Sequence, residues 1–405
     1  MKLRKKRVLI NIVLLIVSLS FSFILAEILL RQFISIDTGT SFEHRIPHPD
    51  FGWVLEPEVN YTNRVDGANV KVKYNMNGWH DTEHTVENPE DAYRILVLGD
   101  SFMEAYSVEL HESFHKRLEA ILQNTIANVE TINLGVGGYG TLQEYLVFKE
   151  IGQFYKPDLI LLGFYVADDV RNNSLELESF LDSGMKFDCR PFIELESMNS
   201  WKITQIDFEH ALDRYNEAKE RHATFFRKIL NQSRLLRLFN KTFNKRTGQA
   251  SQSPTPTLSS FDKQTENLTN LGVNFCDEPP EYSRAWSVTQ HILERFKNDS
   301  EAIDTELIVF SVPAFHEVDD LEMKKVGKDF TSPNLLCLEK VPGYKRLERV
   351  CQELNIEYID LLPDFRLASQ ERNINLFHRS DRHWNAKGHG LAAELIGSAL
   401  KNKVH

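Results

Sequence analysis

Short, almost wholly apolar runs recur through this chain, with amphipathic stretches between them. Residues 93–98 (YRILVL), 129–134 (VETINL), 158–164 (DLILLGF), 305–312 (TELIVFSV) and 356–362 (IEYIDLL) are each too short for a buried helix. They have the length and composition of strands covered on both faces. Residues 115–127, 142–154, 344–354 and 388–400 repeat apolar side chains at helical spacing. Such an alternation folds as a parallel sheet between two layers of helices. The expected fold is therefore α/β, a doubly wound, flavodoxin-like parallel sheet of about five strands. The rhythm breaks at about 174–300, which is charged and reads as a largely helical insertion, with a Ser/Thr/Pro-rich loop at 247–262. An insertion there either caps a site or forms a surface subdomain.

The N-terminus has a different character. After MKLRKKR come 23 apolar-rich residues, 8–30, whose polar members Asn11 and Glu27 lie near the two ends. At ~1.5 Å per residue they would span a ~30 Å hydrocarbon core. The basic cluster before the run, with only Arg31 close after it, predicts a cytoplasmic N-terminus and an extracytoplasmic main domain, periplasmic or extracellular. A cleaved signal peptide is the competing reading, but its apolar stretch would be about 7–15 residues long and end in a small-x-small site. The expected organisation is a basic stub and transmembrane signal anchor over 1–33, a turn-rich lead-in over 34–90, and the α/β domain over 91–405.

With 47 Lys and Arg against 58 Asp and Glu, the net charge is −11, which argues against a nucleic-acid partner. Mean hydropathy of −0.35 excludes a polytopic membrane protein but not a single anchor. The four cysteines form no CxxC and no Cys/His cluster, so no metal site is expected. Outside the cytoplasm they would form one disulfide or none.

The first strand runs into Gly99-Asp100-Ser101. Sites in parallel sheets form at the carboxyl ends of strands, and Ser101 stands at one. Met103 occupies the place of the second glycine in G-x-S-x-G, so the pattern is not that nucleophile elbow. A serine nucleophile needs a base, and the base an orienting carboxylate. Asp381-Arg382-His383-Trp384-Asn385, on the loop between the last strand and the last helix, supplies both in Asp381 and His383. Asp100 is expected to hold the turn around Ser101, His389 to sit in the first turn of the last helix, and Trp384 to offer a surface on which a sugar could stack.

These blocks, in this order, resemble the SGNH/GDSL hydrolase superfamily, and more narrowly its membrane-anchored extracytoplasmic members with a DxHWN ending. The resemblance covers about residues 90–390, with the insertion unmatched. It implies that Ser101 is the nucleophile, His383 the base and Asp381 its partner. It further implies that the backbone N–H groups of Ser101 and Gly138 form the oxyanion hole. The third block carries an Asn as a further donor; here Asp168 stands in its place. An ionised Asp donates nothing to an oxyanion, and loss of one donor typically costs about 10²–10³ in rate. The activity implied is a serine esterase acting on acyl esters, acetyl among them, of a glycan or another ester, with no cofactor. An O-acyltransferase acting on a cell-surface polysaccharide would use the same triad. Asp168 leaves a third reading open, a noncatalytic member that binds a glycan or a partner.

Overall fold

The computed structural model describes residues 44–88, 91–126, 128–179, 189–197, 200–205, 208–223, 271–328, 336–337, 339–401 and 403, with scattered helical positions between 11 and 27. These fall into two compact units, Gly39–Leu212 with Phe261–His405, and Met1–Thr38 with Asp213–Ser260. The described residues of the second unit are helical, and Leu14, Leu15, Val17 and Phe21 among them expose apolar side chains. Among the described residues no helix is long and apolar enough to cross a membrane. The span expected at 8–30 lies largely outside them, and the loop expected at 247–262 wholly so.

The first unit opens with two antiparallel hairpins, β1 (Arg45–His48) with β2 (Gly52–Leu55) and β3 (Asn60–Val65) with β4 (Ala68–Lys73). The α/β core follows: β5 (Tyr93–Gly99), α1 (Ser101–Glu104), α2 (Phe114–Leu122), β6 (Val129–Asn133), α3 (Thr141–Glu150), β7 (Leu159–Phe164) and α4 (Val166–Asn172). A hairpin of β8 (Pro191–Ser197) and β9 (Ser200–Gln205) comes next, then α5 (Pro280–Glu301), β10 (Glu306–Ser311), α6 (Pro342–Leu354), β11 (Glu357–Ile359) and α7 (Ala386–Leu400).

The five core strands form one all-parallel sheet in the order β11-β10-β7-β5-β6. Read from the other edge and numbered along the chain, this is 2-1-3-4-5, the flavodoxin-like order. The chain steps one way from β5 to β6 and the other way thereafter. Right-handed crossovers therefore put α2 on one face and α3, α5 and α6 on the other. Packing agrees: α7 lies against α2, and α5 lies against α3 and β10. β5 is buried from Arg94 to Gly99 and β7 throughout, as strands covered on both faces must be.

Within 174–300 the structure departs from a helical insertion in two ways. β8 and β9 form a strand pair. The long helix α5 buries Trp286, Leu293 and Phe296, the last stacked 5.0 Å from Phe148 of α3, and so forms part of the helical layer over the sheet. Its polar remainder hid this from composition, because only one stripe of a helix covering a sheet is apolar.

Candidate active site

Ser101 is the first residue of α1, directly beyond the carboxyl end of β5. Asp100 caps that short helix, its Oδ1 accepting the Phe102 N–H at 2.9 Å. Trp384 and its neighbours approach from the other end of the chain. Asn385 caps α7 by accepting the N–H groups of Lys387 and Gly388. The loop before it is held by Arg379 N–H and Ser380 N–H donating to the Asp66 carboxylate at 2.8 and 2.9 Å, from the β3–β4 turn. Ser107 donates to the Trp384 carbonyl at 3.2 Å.

Held in this way, His383 Nε2 lies 2.7 Å from Ser101 Oγ. Asp381 Oδ1 accepts the backbone N–H of His383 at 3.1 Å, and its Oδ2 lies 3.6 Å from His383 Nδ1. That second separation is an ion-pair contact, longer than a hydrogen bond. Asp381 Oδ2 is buried and has no hydrogen-bond partner among the described residues, so a tightening of Nδ1–H toward it would satisfy a stranded acceptor. Tyr106 OH stands 3.3 Å from the same Nδ1. Burial opposes charge on His383, but Asp381, with Asp100 and Glu104 adding to it, outweighs burial and raises the imidazole above 6.5. Asp381 is lowered in turn: burial works against its charge and His383 overcomes it. The side chains of His383 and Asp381 remain 19% and 22% exposed, so a substrate can reach them.

The segment after β6 lies beside the serine. A Cβ on Gly137 would come within 3.2 Å of Ser101 Cβ and press on the ends of the Arg45 and Glu104 side chains, so any larger residue would force those two to shift. Gly138 has φ +79°, the left-handed region. Gly137 N–H donates to Glu104 Oε2 at 2.6 Å, whereas the N–H groups of Ser101 and Gly138 make no hydrogen bond among the described residues.

Asp168 lies in the first turn of α4, and its carboxylate pairs with Arg171 at 3.3 Å, three residues on along the helix. Among the described residues it bonds neither Ser101 nor His383. Its charge is nonetheless felt at Asp100, which is pushed up to about 7, chiefly by burial, with Asp168 and Glu104 adding to the rise. Glu144 and Asp169 are also buried and raised well above the carboxylate range, first by burial and then by neighbouring carboxyls. His389 lies in α7, fully buried. Trp384 is not a sugar-stacking surface. It is fully buried, packs against Phe102 and Phe365, and donates to the Pro313 carbonyl at 3.3 Å.

The structure thus brings Ser101, His383, Asp381 and the Gly137–Gly138 segment together and directs Asp168 to Arg171. Reading the sequence gave no role in the site to Tyr106, Trp53, Glu104 or Arg190, all of which touch the site or its supports. Glu104 alone had a local signal, standing one turn after Ser101.

No family model matches the sequence, and no curated protein is similar to it. Several solved structures overlap the fold in part. An acetyl xylan esterase covers 76% of this chain and 99% of its own at 11% identity and a TM-score of 0.38. The lipase/acylhydrolase from Enterococcus faecalis covers 77% and 97% at 11% identity and a TM-score of 0.38. A catalytic mutant of an acetylxylan esterase from Geobacillus stearothermophilus covers 77% and 95% at 10% identity and a TM-score of 0.37. Likeness at that level carries no argument about this chain, whose reading rests on its own geometry.

Proposed function

We propose that this protein is a serine ester hydrolase of the SGNH/GDSL kind, tethered to a membrane and facing away from the cytoplasm. The observation that carries the reading is the 2.7 Å contact between Ser101 Oγ and His383 Nε2, with a carboxylate behind the imidazole. A hydroxyl has little nucleophilicity until a base removes its proton, and an imidazole needs its other nitrogen oriented to serve as that base.

In this mechanism Ser101 Oγ attacks the ester carbonyl carbon as its proton passes to His383 Nε2. The negative charge formed on the carbonyl oxygen is received by the N–H groups of Ser101 and Gly138. Asp381 stabilises the imidazolium. Collapse breaks the ester C–O bond, and the proton on Nε2 leaves with the alcohol. Water then attacks the acyl-serine with His383 again as base, releasing the acid. Asp168, as a carboxylate paired with Arg171, adds no donor. Turnover rests on the two backbone groups.

The proposed substrates are acyl esters of a cell-surface glycan, acetyl esters first. Two observations support the location. Leu14, Leu15, Val17, Phe21, Phe23 and Leu25, among the described residues near the N-terminus, expose apolar side chains. Cys276 and Cys337 form a disulfide, the expectation for an oxidising compartment, while Cys189 and Cys351 are buried free thiols.

The test is product analysis. Full-length protein in detergent is given an acetylated oligosaccharide together with an unacetylated acceptor. Hydrolysis predicts free acetate, with the rate falling by about 10⁴ or more in Ser101→Ala and in His383→Ala. Acetyl groups appearing on the acceptor would assign a transferase, and product formation indifferent to both substitutions would remove the serine mechanism.

A further inference from the structure

Gly137 and Gly138 carry four main-chain polar groups between them, and side chains take three. Gly137 N–H donates to Glu104 Oε2 at 2.6 Å. The Gly137 carbonyl accepts from Trp53 Nε1 at 3.3 Å. The Gly138 carbonyl accepts from Arg190 Nη2 at 2.8 Å. The fourth, Gly138 N–H, makes no hydrogen bond among the described residues. All three holding side chains are buried, and they come from the β1–β2 hairpin, the end of α1 and the approach to β8.

We propose that Trp53 and Arg190 are positioning residues that preset the Gly138 N–H as an oxyanion donor. The inference rests on the serine-hydrolase reading of the same site. The Gly137 carbonyl and the Gly138 N–H are the two ends of one planar trans peptide, so fixing the carbonyl fixes the direction of the N–H. A donor on the carbonyl also polarises the peptide and makes its N–H a stronger donor. Arg190 fixes the next peptide and donates to Gln143 Oε1 at 2.6 Å, tying the loop to α3. Trp53 is itself held: the Arg190 and Arg45 guanidinium carbons lie 5.1 and 5.9 Å from its ring, and the Tyr139 hydroxyl bonds its carbonyl. A donor fixed before the reaction needs no reorganisation when charge develops on the substrate oxygen, and such donors are the effective ones. The lead-in hairpin and the segment between β7 and β10 thereby acquire a part in the chemistry, although neither supplies a reacting atom.

The test uses full-length protein with two probes, a simple acetyl ester and an alkyl boronic acid. The boronic acid adds to a serine oxygen and carries a tetrahedral oxygen where the oxyanion would lie. Trp53→Phe keeps an aromatic ring beside the guanidiniums and removes the N–H together with the rest of the five-membered ring. In the folded protein it should lower kcat by about 3- to 10-fold and raise the boronate Ki by the same factor with KM held, while the melting midpoint falls because the smaller ring leaves a cavity. Arg190→Gln should act in the same direction and Arg190→Lys should restore part of the loss, so the inference stays testable if Trp53→Phe does not fold. A structural role alone would lower the folded fraction without moving kcat per labelled serine or the boronate Ki. Unchanged kcat and Ki in folded Trp53→Phe and Arg190→Gln, with Ser101→Ala inactive, would overturn the positioning role and leave the hydrolase reading standing. Wild-type protein that neither hydrolyses the ester nor binds the boronate would overturn both.

Discussion

His383 is subject to opposed forces. Burial favours the neutral ring, the form that accepts a proton from Ser101, while Asp381 favours the charged ring, the form that follows. The net shift is upward from 6.5, so under the proposed mechanism the base is lost as pH falls through a value above 6.5. The acid limb of kcat/KM should therefore lie above 6.5 in the wild type. Asp381→Asn removes the charge that raises the imidazole, so the limb should move to lower pH while the rate falls by about 10²–10⁴. A limb that stays in place would mean that Asp381 does not set the protonation of His383. At this scale the sequence was most informative about short-range chemistry. Asp381 and His383 are two residues apart, and the Asp100 cap is adjacent to Ser101. Asp168 was legible as the residue standing where the resemblance expects an Asn donor, but its i,i+3 pairing with Arg171 emerged only from the structure.

At the scale of elements, hydrophobic runs located the five core strands to within a residue or two at most ends, because a strand buried on both faces admits few polar residues. β11 is the exception. Only 357–359 pair, although the apolar run extends to 362, because Leu362 already begins a helical turn. The lead-in was harder to read. Its hairpins pair by backbone, and it joins the α/β core through buried apolar side chains, Trp53, Leu55, Val72 and Trp79 among them, and through a set of ion pairs. His84 sits between Asp81 Oδ2 at 3.0 Å and Glu130 Oε1 at 2.6 Å, and Glu130 also takes Arg94 Nε at 2.8 Å. Asp81 further accepts Asn133 N–H of β6 at 2.9 Å and Lys116 Nζ of α2 at 2.9 Å. Burial opposes charge on His84 and Lys116 adds to that, yet the two carboxylates raise it to about 9. A raised histidine contributes its stability in full below its unfolded value of about 6.5 and loses it as pH rises through the folded value. Stability, and with it the melting midpoint, should therefore decline between about pH 6.5 and 9, by on the order of 3 kcal/mol. His84→Gln should lower the midpoint at pH 6 and flatten that decline. An equally steep decline in the variant would assign it to other groups.

For the molecule as a whole, the site is an assembly across the chain. Ser101 and His383 are 282 residues apart, and Trp53 reaches Gly137 across 84. The doubly wound sheet makes the first meeting intelligible, since the ends of β5 and the loop before α7 open on the same edge. The strand pattern therefore gave the sequence a route to Ser101 and His383. It gave none to Trp53, Tyr106 or Arg190, whose roles depend on where a hairpin and a surface segment happen to lie against that edge. The disulfide was equally illegible: four cysteines allow three full pairings, and only the fold brings Cys276 to Cys337.

On the proposed reading this assembly activates one serine. The most direct measurement treats full-length protein with a fluorophosphonate, which reacts with an activated serine and requires no knowledge of the substrate, and locates the adduct by peptide mass spectrometry. One adduct is expected, on Ser101, and it should disappear in His383→Ala. An unlabelled Ser101 at neutral and mildly alkaline pH, in protein that is folded, would contradict that reading.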